Sequence, residues 1–244
     1  MRTRLIFATV GFLAVAAPAA SIAGELYRLR VDLDGDRKAE VIEVATTPAK
    51  DAWRSRVNVK IGAANYFAEF FSAESDLPDI RVVSIDRKRP QRQLLLETPE
   101  AGTCIYHLLA YIGNKLVPLL RFDSGPSCQP PQPQGNGHVS VSTWQGFWSK
   151  EVRYQLSSDG KALVEEPKTI YSVEVAGVAG KPLALQGAEC PARVIPPGTY
   201  VKVKLYDSKN NQYRVQTTDG SCGWIPASDL NSLDEIVKEL PWAG

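Results

Sequence analysis

Ile195–Leu230 reads IPPGTYVKVKLYDSKNNQYRVQTTDGSCGWIPASDL. Pro196-Pro197-Gly198 sets a turn. After it Tyr200, Lys202 and Lys204 alternate with Val201, Val203 and Leu205, the period-two signature of a strand with one buried face. Asn210-Asn211 turns the chain into Gln212–Thr218, where Tyr213, Val215 and Thr217 share a face. Asp219-Gly220 predicts a tight hairpin with positive φ at both central residues. Gly223-Trp224-Ile225-Pro226 is a short strand stopped by a proline that cannot donate to a ladder. The segment predicts one small β-barrel.

Outward from the barrel, alternation recurs at Glu40–Val44, Arg56–Ile61, Tyr66–Phe71, Ile80–Ile85, Gln93–Glu97, Ile105–Ile112, His138–Trp144 and Val152–Leu156. Gly113-Asn114 and Asp159-Gly160 are hairpin signals between such runs. The fold class is therefore all-β: an antiparallel meander domain of blade-like sheets over 24–168, then the barrel over 169–230. Pro- and Gly-rich Ser124–Gly137 is a surface loop. Ser232-Leu-Asp-Glu235 is a capping box, and Leu233, Ile236, Val237 and Leu240 follow at helical spacing, so 231–244 is expected to hold a short helix and tail.

The order turn, strand, turn, strand, DG, GW-I-P resembles the bacterial SH3-like (SH3b) family over the C-terminal quarter of the chain. In that family the positions of Tyr206, Tyr213 and Trp224 carry aromatics of a binding groove. The resemblance implies recognition of cell-wall peptides in many members and an architectural role in others. Tyr206, before the Asp207–Asn211 loop, is the expected exposed groove residue; Tyr213 and Trp224 could equally close the barrel.

Residues 1–23 have Arg2 and Arg4, an uncharged apolar run Leu5–Ala17 and small residues at Ser21 and Ala23. That is the pattern of a cleaved signal peptide. The run falls short of the about 20 residues a membrane span needs, so a periplasmic or secreted protein with no span after cleavage is expected. Without those arginines the chain has 26 basic and 27 acidic residues, and no electrostatic footprint for nucleic acid is visible. Four cysteines in an oxidising compartment predict two disulfides, with three pairings open. The domain split favours Cys104–Cys128 and Cys190–Cys222. No CxxC pair supports a zinc site.

Val31-Asp-Leu-Asp-Gly-Asp-Arg-Lys-Ala-Glu40 places Asp32, Asp34, Asp36 and Glu40 at positions 1, 3, 5 and 9, with the Lys38 carbonyl at 7. Such spacing lets a tight turn present hard oxygens to Ca²⁺. The run resembles the calcium-type loops of FG-GAP and VCBS repeats, which makes Ca²⁺ the implied cofactor. It departs from them at position 6, where Arg37 replaces glycine. The alternative is a solvated acidic turn. Val83–Glu97 echoes the run with one inserted residue, yet with Lys88 in place of Asp36 and no counterpart of Asp32, so a second copy would be metal-free.

No motif with a catalytic mechanism appears. His107 and His138 sit in strand patterns rather than metal or triad contexts. Trp144-Gln-Gly-Phe-Trp148 is the most aromatic patch and is expected to be core rather than an exposed stacking surface. The expected function is a non-catalytic exported binding or scaffold protein that recognises peptidoglycan peptides or an envelope protein. The rivals are a calcium-stabilised interaction protein with an architectural barrel, and an envelope hydrolase targeted by it.

Overall fold

Strands that alternate apolar and polar residues must cover their apolar faces, and here they do so by stacking. The computed structural model describes residues 24–51, 53–71, 77–187, 193–230 and 236–241. The expected signal peptide, Cys190 and Ser232–Glu235 lie outside them.

The first sheet is the meander β1 (Gly24–Val31), β2 (Glu40–Pro48), β3 (Arg54–Ile61) and β4 (Ala64–Phe71). The second is β5 (Asp79–Val83), β6 (Gln93–Glu100), β7 (Thr103–Ile112) and β8 (Lys115–Asp123). The third is β9 (Gln132–Pro133), β10 (His138–Trp144), β11 (Ser149–Leu156) and β12 (Leu163–Glu165). All three are antiparallel. Gly113 and Asn114 both take positive φ between β7 and β8, as a primed two-residue turn requires.

The second sheet is apolar on both faces. Leu94, Leu96 and Leu109 pack with Ile42, Val57, Val59 and Phe70 of the first sheet. Leu95, Leu108 and Phe122 pack with Val139, Val141 and Val152 of the third. A fully buried leucine is worth about 1.5–3 kcal/mol relative to an exposed one, so both neighbours are required. The outer face of the first sheet ends the stack with charge. Arg28 and Lys60 pair with Glu43, Arg56 pairs with Glu69, and the Arg56 guanidinium lies over the Phe67 ring at 5.6 Å. The Cys104–Cys128 disulfide ties β7 to the Pro-rich loop.

The C-terminal part comprises β13 (Ile170–Ala179), β14 (Leu183–Leu185), β15 (Arg193–Ile195), β16 (Tyr200–Asp207), β17 (Gln212–Thr217), β18 (Cys222–Pro226), α1 (Ala227–Leu230) and β19 (Val237–Lys238). Strand order β18-β17-β16-β13-β19 makes one curled antiparallel sheet, and the β14–β15 ribbon meets β18 through a Gln186–Trp224 bridge. The result is a half-barrel around Val201, Val203, Tyr213, Val215 and Ile225.

Two local expectations are corrected. The short helix is Ala227–Leu230, while Val237–Lys238, expected to be helical, pairs with Val178 and Ala179 of β13. Tertiary burial outweighs the helical pattern: Val237 and Leu240 belong to the barrel core. The chain can approach so closely because residue 177 is glycine, whose added Cβ would lie 2.7 Å from the Lys238 carbonyl oxygen. In the Asp219-Gly220 turn only Gly220 has positive φ. The Gly220 N–H donates to the Thr217 carbonyl at 3.1 Å and the Thr217 N–H to the Ser221 carbonyl at 2.9 Å, a longer loop than the two-residue hairpin.

Leu108→Ala should lower the unfolding free energy by about 2–5 kcal/mol, whereas Glu69→Gln on the outer face should change it by less than about 1 kcal/mol. Urea titration of both variants checks the difference.

Candidate functional site

The acidic loop between β1 and β2 is anchored by Leu33, which is buried in the first core. The Leu33 N–H donates to Glu40 Oε2 at 2.7 Å. Asp32 accepts from the Gly35 N–H at 2.7 Å and the Arg37 N–H at 2.9 Å, and Asp34 from the Asp36 N–H at 3.0 Å. Oxygen atoms of Asp32, Asp34 and Glu40 all lie within 4.8 Å of one another. Asp36 is not in that group: it accepts the Lys38 N–H at 2.7 Å, with the Lys38 ammonium 3.8 Å away. Three of the four expected carboxylates thus converge. Arg37 has φ +69°, the left-handed conformation glycine would take at lower cost.

The echo in the second sheet occupies the same place, between first and second strands. The Ile85 N–H donates to Gln93 Oε1 at 3.0 Å, as Leu33 does to Glu40, and Asp86 accepts the Lys88 N–H at 3.0 Å, as Asp34 accepts Asp36. The loops are also joined in series. The Arg92 N–H donates to the Leu33 carbonyl at 2.9 Å, and the Gly137 N–H of the third sheet donates to the Ile85 carbonyl at 2.9 Å. The buried apolar residue of each loop therefore accepts a bond from the loop of the next sheet.

The three expected groove aromatics do not share a face. In the β16–β17–β18 register Tyr206 stands opposite Tyr213 and Tyr213 opposite Ile225, while Trp224 stands opposite Arg214. Strand alternation puts Trp224 on the other side. Tyr213 is buried, and Trp148 from the β10–β11 turn covers it: the indole Nε1–H donates to the Tyr213 hydroxyl at 3.0 Å. Trp148 also meets Tyr206 at 5.7 Å and Tyr171 at 6.5 Å between ring centroids, and Phe147 meets Tyr213 at 5.5 Å. Tyr206 is half-buried and its hydroxyl donates to Asn211 Oδ1 at 3.1 Å. Phe147 and Trp148 are core, as the sequence implied, but of the barrel rather than of their own sheet. Burial pushes the Tyr213 phenol up, against the opposing effect of the Trp148 bond. Cys222 is buried and disulfide-bonded; the expected partner, Cys190, lies outside the described residues.

His107 is a packing residue between the first two sheets. Thr98 Oγ1 can donate to the Ile105 carbonyl at 3.2 Å, leaving a lone pair for His107 Nε2–H at 3.2 Å. The bare Nδ1 then accepts from the Tyr66 hydroxyl at 2.9 Å. Burial, with help from Arg121, pushes the ring down to about 4 from an ordinary 6.5. His138 is apart from it, with Nδ1 2.8 Å from Glu166 Oε1.

Compared with known proteins, the chain matches no family model, no curated protein and no solved structure. Among the described residues no helix is long and apolar enough to cross a membrane. The disulfide fits an oxidising compartment.

Two outcomes are expected. The unfolded chain protonates His107 near pH 6.5 and the folded chain near 4, so its contribution is complete above pH 6.5. It is lost as pH falls through that window, by about 3 kcal/mol at most. Unfolding free energies measured from pH 7 to 4 should be flatter in His107→Gln; a slope equal to the unmodified protein's would remove His107 as the cause. Arg37→Gly should stabilise by about 1 kcal/mol because it relieves the left-handed strain; a lower melting temperature would contradict the strain.

Proposed function

We propose that the chain is an exported, non-catalytic scaffold protein whose C-terminal half-barrel is an architectural clasp on its own third sheet. The single observation behind this is Trp148, which is buried in the barrel core and hydrogen-bonded to Tyr213. In the SH3-like reading, Tyr206 and Tyr213 are the residues that would meet a wall peptide. Here their shared face is already met by an indole of the same chain. A free peptide would have to displace a side chain whose removal costs about 3–5 kcal/mol. The partner that fits best is an envelope protein bound elsewhere on the stack. The signal-peptide pattern and the disulfide support a periplasmic or secreted location.

Trp148→Ala should therefore destabilise the whole protein by about 3–5 kcal/mol. The full chain should pass through a column of purified sacculi, and Tyr206→Ala should behave identically. Retention on sacculi that Tyr206→Ala abolishes would overturn the architectural reading in favour of wall recognition.

The acidic loop supports a second element of the same reading. Asp32, Asp34 and Glu40 offer the hard oxygens that Ca²⁺ takes, and a bound cation would neutralise three crowded carboxylates. The affinity expected of such a site is weak, on the order of 10⁻⁴ to 10⁻³ M. Millimolar Ca²⁺ should raise the melting temperature of the full chain but not of Asp34→Ala; no change in either would end the metal reading.

A further inference from the structure

The loop end of the stack holds a cleft of about 230 Å³ where all three sheets meet. Its polar floor comes from the second sheet. Gln93 is buried, and its Oε1 accepts the Ile85 N–H. That bond fixes which end of the amide is oxygen and leaves the NH₂ end for the cleft. Beside it stands Arg92, whose backbone is pinned by the Leu33 carbonyl and whose guanidinium has no ion pair or hydrogen bond among the described residues. Arg89 forms a fixed wall, with Nε 3.2 Å from Asp86 Oδ2 and a terminal nitrogen donating to the Ser158 carbonyl at 3.0 Å.

The opposite chemistry enters from the first sheet. Asp34 lines the cleft and belongs to the carboxylate group with Asp32 and Glu40, and Asp159 lines it from the third sheet. Tyr111 lines the cleft as well, with its hydroxyl donating to Asn114 Oδ1 at 3.1 Å. Ile112 and Leu156 add an apolar wall. A lining that combines the donors of Arg89, Arg92 and Gln93, the carboxylates of Asp34 and Asp159 and the aliphatic groups of Ile112 and Leu156 suits a molecule with both charges and a short apolar body.

We propose that this cleft binds a free amino acid as its zwitterion. The carboxylate is held by the Arg92 guanidinium and the Gln93 amide NH₂, the ammonium by Asp34, and the side chain lies against Ile112 and Leu156. The size agrees, since the volume is below the about 300–1,000 Å³ of pockets that take drug-sized ligands. The guanidinium is suited to a carboxylate by its planar fork of donors. The bond from the Ile85 N–H to its Oε1 holds the Gln93 amide in place, which limits the ordering cost at that residue. This site is separate from the barrel clasp and stands or falls independently of it.

The test is calorimetric titration of the full chain in EDTA with L-alanine, D-alanine and L-leucine, and with propionate and ethylamine as the two halves. At least one amino acid should bind about tenfold or more tightly than either half. Arg92→Ala and Asp34→Asn should each weaken that binding about tenfold or more, with melting temperatures close to the unmodified protein's. The Asn side chain keeps an oxygen for the Asp36 N–H, so the turn is retained. Absence of binding by any amino acid overturns the proposal. So does ethylamine or propionate binding as tightly as the amino acid, which would mean a simple cation or anion site. Unchanged affinity in Arg92→Ala does the same.

Discussion

A β-sheet that is apolar on both faces cannot stand at a surface, and the second sheet is of this kind. Leu94, Leu96 and Leu109 face one way, Leu95 and Leu108 the other, and all five are buried. This fixes the order of the molecule. The first sheet must cover one face and the third the other. The outer face of the first sheet can then be charged, as the Arg28–Glu43 and Arg56–Glu69 pairs are. The same stacking brings the three first-to-second strand loops to one end, where backbone bonds from Arg92 to Leu33 and from Gly137 to Ile85 join them. The acidic loop and the cleft beside it are products of that arrangement rather than independent inventions.

The barrel is joined to this stack by a different device. The β10–β11 turn carries Phe147 and Trp148 away from the third sheet and into the barrel core, where an aromatic cluster with Tyr171, Tyr206 and Tyr213 receives them. The indole brings a large apolar area and one donor, and the Tyr213 hydroxyl satisfies the donor. A barrel docked in this way contributes stability to the sheet it grips. Its Tyr206–Tyr213 face is occupied by that indole.

Much of this was legible because alternation is a local signal. Strand positions from Glu40 to Leu156, the Gly113-Asn114 turn and the echo of the acidic loop at Val83–Glu97 all follow from neighbouring residues, while the Cys104–Cys128 pair followed from the domain split. What was not legible depends on distant partners. Periodicity marks Trp148 as buried but cannot name the core that receives it. Val237 and Leu240 fit a helix until Gly177 opens a place for them against β13. Tyr206, Tyr213 and Trp224 can be aligned as a trio, but only strand register reveals that Trp224 faces away from the other two. The cleft was invisible because Asp34, Arg92 and Leu156 come from three sheets.

Stack and barrel form one packed unit through Trp148. This coupling is tested most directly by equilibrium urea unfolding of the full chain, followed in parallel by tryptophan fluorescence and far-ultraviolet circular dichroism. One coincident, cooperative transition is predicted, because neither part keeps its core once the other opens. Two separated transitions, with the barrel unfolding while the stacked sheets persist, would contradict it.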